Sequence, residues 1–175
     1  MEIAECPGLD EAEVFTALVR EHQAMVFSIA YHFLRDRHHA EDVAQEVFLR
    51  LSNRHTSLES PEHLRFWLRK VTSRFCIDEL RRRPARTMAS LEEVPEPAAE
   101  STQSDLLVSE HLRRLVAELP DHARMAVILR YQEGMEPSEI AEVLKESVNT
   151  VKSRLQRALA TLRAKFEPLG EGVRP

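Results

Sequence analysis

Residues 136–160 read EPSEIAEVLKESVNTVKSRLQRALA, and two short amphipathic periods within that stretch decide the fold. In the first, Pro137 suits the opening position of a helix, where its missing N–H would have had no partner. Ile140, Ala141 and Leu144 then share one face, and the small Ala141 leaves room for a second helix to cross closely. A turn at Lys145-Glu146-Ser147 follows. In the second period Val148, Val151, Leu155, Leu159 and Leu162 make an apolar stripe, and Asn149, Lys152, Ser153, Gln156 and Arg157 lie opposite it. A close helix pair with a short turn and a polar second helix is the pattern of a helix-turn-helix, which lays its second helix in the DNA major groove. Arg and Lys donate to guanine, Gln pairs with adenine, and Ser takes either role. Arg154 and Arg163 are placed to hold phosphates, which fixes register without reading sequence. An ordinary helical hairpin with a basic outer face has the same composition. The small residue, the turn and the polar face falling in register together favour DNA. Two local features fit poorly: Glu136 is a weak N-cap, and Lys145 stands where Gly would ease a left-handed turn.

Working outward, Leu112, Leu115, Val116 and Leu119 form a stripe ended by Pro120, and Ala126, Val127 and Leu129 to Tyr131 form a further helix stopped by Gly134. A helical C-terminal domain over residues 105–166 is expected. Upstream, residues 84–104 carry Pro84, Pro95 and Pro97 without any apolar period, and read as a flexible acidic tether. Before it, residues 13–83 show three helical periods. Val14, Leu18, Met25, Ile29 and Phe33 make the first; Val43, Val47, Phe48 and Leu51, after a break at residues 36–39, make the second. The third runs through Leu64, Trp67, Leu68, Val71, Phe75 and Leu80, with Ser60 suited to cap it and Pro61 to open it. The fold class is therefore all-α: two small helical domains, a helical bundle and a four-helix helix-turn-helix domain, joined by a flexible linker.

The net charge of -5 argues at first against a nucleic-acid partner, but its distribution reverses that impression. Arg65 to Arg83 holds seven Lys/Arg against two acids, and Lys145 to Lys165 holds six against one. The joint between them holds five acids, Glu92, Glu93, Glu96, Glu100 and Asp105, against Arg86. Local field rather than net charge decides what a face attracts. No apolar run approaches the roughly 20 residues of a membrane span, and no secretory leader opens the chain, so a cytoplasmic protein is expected. Cys6 and Cys76 give neither a disulfide framework nor metal spacing. His38-His39 with Glu41 and Asp42, or His22 with His32, lack ligand spacing, so neither a metal nor another cofactor is expected. Paired carboxylates, an activated nucleophile and a phosphate loop are all missing, which argues against an enzyme.

Leu119-Pro120, Arg124, Leu129-Arg130-Tyr131, Glu133-Gly134, Glu139-Ile140-Ala141 and Thr150-Val151-Lys152-Ser153-Arg154 together resemble the promoter-binding C-terminal domain of extracytoplasmic-function sigma factors. Ala40 to Leu49 resembles that family's polymerase-binding helix. Phe66-Trp67-Leu68 and Ile77 to Arg83 resemble its promoter-opening helix. The resemblance covers residues 13–166 in order. It implies a factor that binds core RNA polymerase and directs promoter-specific initiation, in a stress or envelope response.

By position, Asp42, Gln45, Glu46 and Leu49 would meet the clamp coiled coil of the polymerase largest subunit. A loop from about Arg54 to Pro61, with Arg54 and His55, would sit beside a pocket for an unpaired −10 base. Arg65, Arg69, Lys70, Arg74, Arg81 and Arg82 would follow the melted strand, with Phe66 as a stacking platform. Trp67 and Phe75 read rather as core, and Cys76 as a small core residue. Ser73-Arg74 departs from a small residue followed by Asn in many relatives, trading a base-reading group for a phosphate-seeking charge. Asn149, Lys152, Ser153, Arg154, Gln156 and Arg157 would meet the −35 element. An anti-sigma partner, often at the membrane, is expected by resemblance only. The alternative is a stand-alone helix-turn-helix regulator whose N-terminal bundle senses a signal or dimerises.

Overall fold

Arg35 and Asp36 separate the first two helices, and that short joint shapes the N-terminal half. The computed structural model describes residues 11–53, 60–82 and 103–170, in which all regular structure is helical: seven helices in two separate units. In the first unit α1 spans Glu11–Leu34, α2 Arg37–Ser52 and α3 Pro61–Arg82. Arg35 takes a left-handed backbone (φ 54°) to reverse the chain. The Asp36 carboxylate then accepts the His39 backbone N–H at 3.1 Å, an N-cap that satisfies one orphan donor of α2. The break is thus shorter than residues 36–39 suggested: Arg37, His38 and His39 are already helical. Ser60 caps α3 as its sequence implies, its hydroxyl accepting the His63 N–H at 3.1 Å.

The core of this bundle is His22, Val26, Ile29, Ala30 and Phe33 from α1, with Ala40, Val43, Val47 and Leu51 from α2. From α3 come Leu64, Leu68, Thr72, Ser73, Cys76 and Ile77. Full burial of an aliphatic side chain such as Leu68 contributes about 1.5–3 kcal/mol. The α3 stripe differs from the apolar period in the sequence. Trp67, Val71, Phe75 and Leu80 are only half-buried, while small Thr72 and Ser73 lie inside. The Thr72 hydroxyl is satisfied by the Leu68 carbonyl at 2.7 Å, so a β-branched residue packs there without an orphan donor. Likewise Met25 yields its expected core place to Val26, and Phe48 is half-buried beside α1. Cys76 is buried, and burial pushes its thiol well above the usual range.

The second unit holds α4 (Gln103–Ala117), α5 (Asp121–Tyr131), α6 (Pro137–Leu144) and α7 (Val148–Gly170). Helix α5 is its centre: every residue from Ala123 to Leu129 is buried. Leu115 and Leu119 pack inward as expected, but Leu112 is 44% exposed because α4 lies on only one side of the unit. Arg124, buried in the middle of α5, turns its guanidinium to the carbonyls of Ala117 and, at 3.2 Å, Leu119. It thereby serves the C-terminal end of α4, whose last carbonyls lack helical partners.

Helix α6 starts better than its sequence suggested. The Glu139 carboxylate accepts the Glu136 backbone N–H at 2.7 Å, so a Glu pair builds a capping box where Ser or Thr is usual. Lys145 ends it in the left-handed conformation (φ 56°, ψ 44°). An L side chain there costs about 1–2 kcal/mol, which glycine avoids at the cost of greater unfolded-state entropy. Lys145→Gly is therefore expected to raise the stability of this unit by about 0.5–1 kcal/mol, read as a higher denaturant midpoint with unchanged m-value.

Candidate functional site

Ile140, Ala141, Val143 and Leu144 of α6 are all buried, as are Val151, Leu155, Ala158 and Leu162 of α7, and the two helices pack on each other. Ser147 caps α7: its hydroxyl accepts the Thr150 N–H at 3.1 Å. Val148, expected in the stripe, is instead 36% exposed, because the cap turns the first residue of α7 outward. This arrangement is a helix-turn-helix. On the outer face of α7, Asn149, Lys152, Gln156 and Arg157 are exposed and Ser153 is half-buried. Lys152 and Arg157 have no ion-pair partner among the described residues, so their charge is available to a ligand.

Arg154 is placed differently from its neighbours. Its guanidinium clasps the Glu146 carboxylate in the turn, at 2.9 and 3.0 Å from Nη2 and 3.2 Å from Nε. His122 of α5 reaches the same carboxylate through Nδ1 at 2.6 Å. The sequence placed Arg154 on the DNA face; in the folded domain an internal carboxylate already holds it. The period of α7 gave no hint of this, because His122 and Glu146 are 24 residues apart.

In the first unit, Asp42, Gln45, Glu46 and Leu49 stand together on the exposed side of α2. Leu49 is 62% exposed, and it stands at the side of an apolar groove rather than alone. Glu46 pairs loosely with Arg50 at 3.4 Å, whereas Asp42 has no ion-pair partner among the described residues. Beside this face α1 and α2 leave an apolar groove lined by Phe15, Val19, Phe27, Phe48 and Leu49, with Gln45 at its edge. The groove was missed by sequence reasoning; the signal was Phe15 and Phe27, the aromatic residues of α1 that the helical period left off the core face.

The basic residues of α3 spread along its length. Arg65 is exposed and lies 3.6 Å from Glu21 of α1. The Lys70 ammonium sits 5.5 Å from the centre of the half-buried Phe66 ring, and Arg69 is half-buried. Arg74 and Arg82 are highly exposed, with Asp78 at 3.8 Å and Glu79 at 3.9 Å respectively, and Arg81 is also exposed. Phe75 is half-buried under the Arg50 guanidinium at 4.5 Å, a rim position rather than the core one expected. Trp67 too is half-buried. Arg54 and His55, and the acidic tether through residue 102, lie outside the described residues.

The histidines considered for a metal are scattered. His22 is buried in the bundle core, where burial pushes its imidazole below the usual value. His32 bonds the Ser28 carbonyl at 2.9 Å, and His39 bonds Asp36 at 2.8 Å. Among the described residues no three His, Cys, Asp or Glu side chains converge as a metal site would require. No helix among them is long and apolar enough to cross a membrane.

Comparison with known proteins assigns both units. Residues 18–86 match the model of sigma-70 region 2, and residues 109–162 match that of sigma-70 region 4. The chain is 33% identical over 166 residues to the ECF RNA polymerase sigma factor SigE of Mycolicibacterium smegmatis, with 91% of this chain and 62% of SigE covered. It thus spans somewhat less than two thirds of that relative. It is 32% identical over 169 residues to SigL of Mycobacterium tuberculosis, covering 91% of this chain and 93% of SigL. Among solved structures it resembles the sigma factor RpoE of Bartonella quintana, crystallised with the anti-sigma factor NepR. That likeness has a TM-score of 0.70 at 20% identity, over 87% of this chain and 96% of that one, and concerns the fold. With a region 2 bundle and a region 4 helix-turn-helix in one chain, and a relative matched over nearly its whole length, the protein belongs to the extracytoplasmic-function family of RNA polymerase sigma factors.

Proposed function

We propose that this protein binds core RNA polymerase and directs it to start transcription at a particular set of promoters. The observation that carries this reading is the pair of family regions in one chain, each with its polar surface exposed. Asp42, Gln45, Glu46 and Leu49 form the docking face for the clamp of the largest subunit. Acids around an apolar residue suit a basic helical partner, the charges guiding encounter and register. Residues 13–83 then open and read the −10 element. Arg65, Arg69, Lys70, Arg74, Arg81 and Arg82 follow the strand, Phe66 stacks on a base, and Arg54 and His55 lie beside the base pocket. Residues 105–166 read the −35 element through Asn149, Lys152, Ser153, Gln156 and Arg157. The chain between the two helical units, from residue 83 to the start of α4 at Gln103, would give them reach, since an extended chain advances roughly 3.3 Å per residue. The protein works in the cytoplasm, and an anti-sigma protein of the kind seen with its structural relative holds it inactive.

The test is transcription from purified core polymerase plus this protein on genomic fragments. Site-selective transcripts that depend on both components are expected. Tight footprints on duplex DNA by the protein alone, without any effect on core, would instead make it a stand-alone regulator. On a promoter found this way, Arg157→Ala should lower initiation about tenfold or more, since one lost base contact is worth about 1–3 kcal/mol. The loss should depend on the base it faces, measured by comparing transcripts across −35 variants.

A further inference from the structure

Glu146 sits in the turn between α6 and α7 with only 15% of its side chain exposed, and two basic groups from different helices converge on it. Arg154 grips it with paired hydrogen bonds from α7, and His122 reaches it from α5. The three side chains tie the start of α5, the turn and the second turn of α7 together. A guanidinium uses the same planar pairing on a carboxylate as on a phosphate, so Glu146 and a DNA phosphate compete for one group. Arg154 is 28% exposed, whereas Lys152, Arg157 and Arg163 are exposed and have no ion-pair partner among the described residues.

We propose that Glu146 is a positioning residue of the recognition helix that withholds Arg154 from the DNA backbone, fixing the start of α7 and keeping duplex affinity of the free protein low. This rests on the helix-turn-helix reading of the second unit. The charged contacts of α7 with DNA then come from Lys152, Arg157 and Arg163, and Arg154 serves the geometry of the turn. Each phosphate neutralised by a protein cation releases counterions and steepens the dependence of log affinity on log salt by about 0.9. The number of engaged cations is therefore countable.

The experiment uses the full-length protein, a short fluorescent duplex of arbitrary sequence, and anisotropy titrations over a range of salt. Glu146→Gln is expected to steepen the salt slope by about 0.9 and to tighten binding several-fold at low salt, as Arg154 is released. Arg154→Gln alone keeps the wild-type slope. The double variant Glu146→Gln with Arg154→Gln returns to that slope, which separates release of Arg154 from simple loss of a negative charge. Equal steepening with and without Arg154 overturns the proposal, as does a shallower slope for Arg154→Gln alone. Lys152→Ala tests the underlying reading: its slope falls by about 0.9 if α7 meets DNA, whatever Glu146 does. Circular dichroism reports folding of each variant. Should Glu146→Gln loosen the domain, Glu146→Asp draws the carboxylate back by one methylene and is held to the same slopes.

Discussion

Reversing the charge at both Asp42 and Glu46 with lysine is expected to weaken association with core RNA polymerase about a hundredfold or more and to abolish promoter-dependent transcription. Both side chains lie on the exposed face of α2, away from the buried Val43, Val47 and Leu51, so the bundle itself has little to lose. The exposed Glu46–Arg50 pair contributes only about 0.3–0.5 kcal/mol. Against a basic partner, however, the change turns attraction into juxtaposed like charges, which costs several kcal/mol. At 1.4 kcal/mol per tenfold, that is two or more powers of ten in affinity. The expected pattern distinguishes surface from fold: unchanged helical content and melting, lost co-elution with core. Asp42→Asn should do much less, because it removes an attraction without creating a repulsion. Leu49→Ser should act through dissociation rather than encounter, since the leucine carries apolar contact and no charge. Wild-type affinity in the double lysine variant would show that polymerase docks elsewhere.

Arg124→Met is the change expected to damage the fold most. Arg124 is 5% exposed, and burial pushes its guanidinium below its ordinary value although it remains charged. What keeps it in place is the set of carbonyls at the end of α4, from Ala117 and Leu119. Methionine fills similar space but donates nothing, leaving the buried Leu119 carbonyl and the part-buried Ala117 carbonyl without this partner, at about 1–3 kcal/mol for a buried acceptor. A loss of about 2–5 kcal/mol in a unit of this size lowers its melting temperature by about 10–30 °C. Hydrogen exchange locates the effect. Protection should fall across α4 to α7 and persist in α1 to α3, because the two units have separate cores. A melt within a few degrees of wild type would mean that α4 ends without help from Arg124.

Helix existence and order were legible in the amino-acid sequence, because apolar residues at three- and four-residue steps can bury themselves in only one regular way. Ser60-Pro61 and Pro137 marked helix starts, and Pro120 a helix end, by chemistry that acts within one turn. The same locality explains why the outer face of α7 was readable: once Ile140, Ala141, Val151 and Leu155 are turned inward, Asn149, Lys152, Gln156 and Arg157 have nowhere else to point. The exposure of Asp42, Gln45, Glu46 and Leu49 on α2 was legible for the same reason.

Where the sequence misled, neighbours from other helices had decided the outcome. Periodicity ranks residues by hydrophobicity, but a three-helix core selects by volume at the point of closest approach. That is why Thr72 and Ser73 lie inside α3, beside the expected Cys76, while Trp67 and Phe75 remain at its rim.

The one-dimensional chain by itself determined two helical modules, the acidic stretch between the basic ones, and which polar faces each module presents, since all of these follow from contacts within a few residues. Only the tertiary structure decided that Glu146 and His122 hold Arg154, that Arg124 serves the end of α4, and that α1 and α2 leave an apolar groove beside Leu49. Those facts depend on side chains that the backbone brings together from distant positions, and no spacing along the chain encodes which charge will meet which.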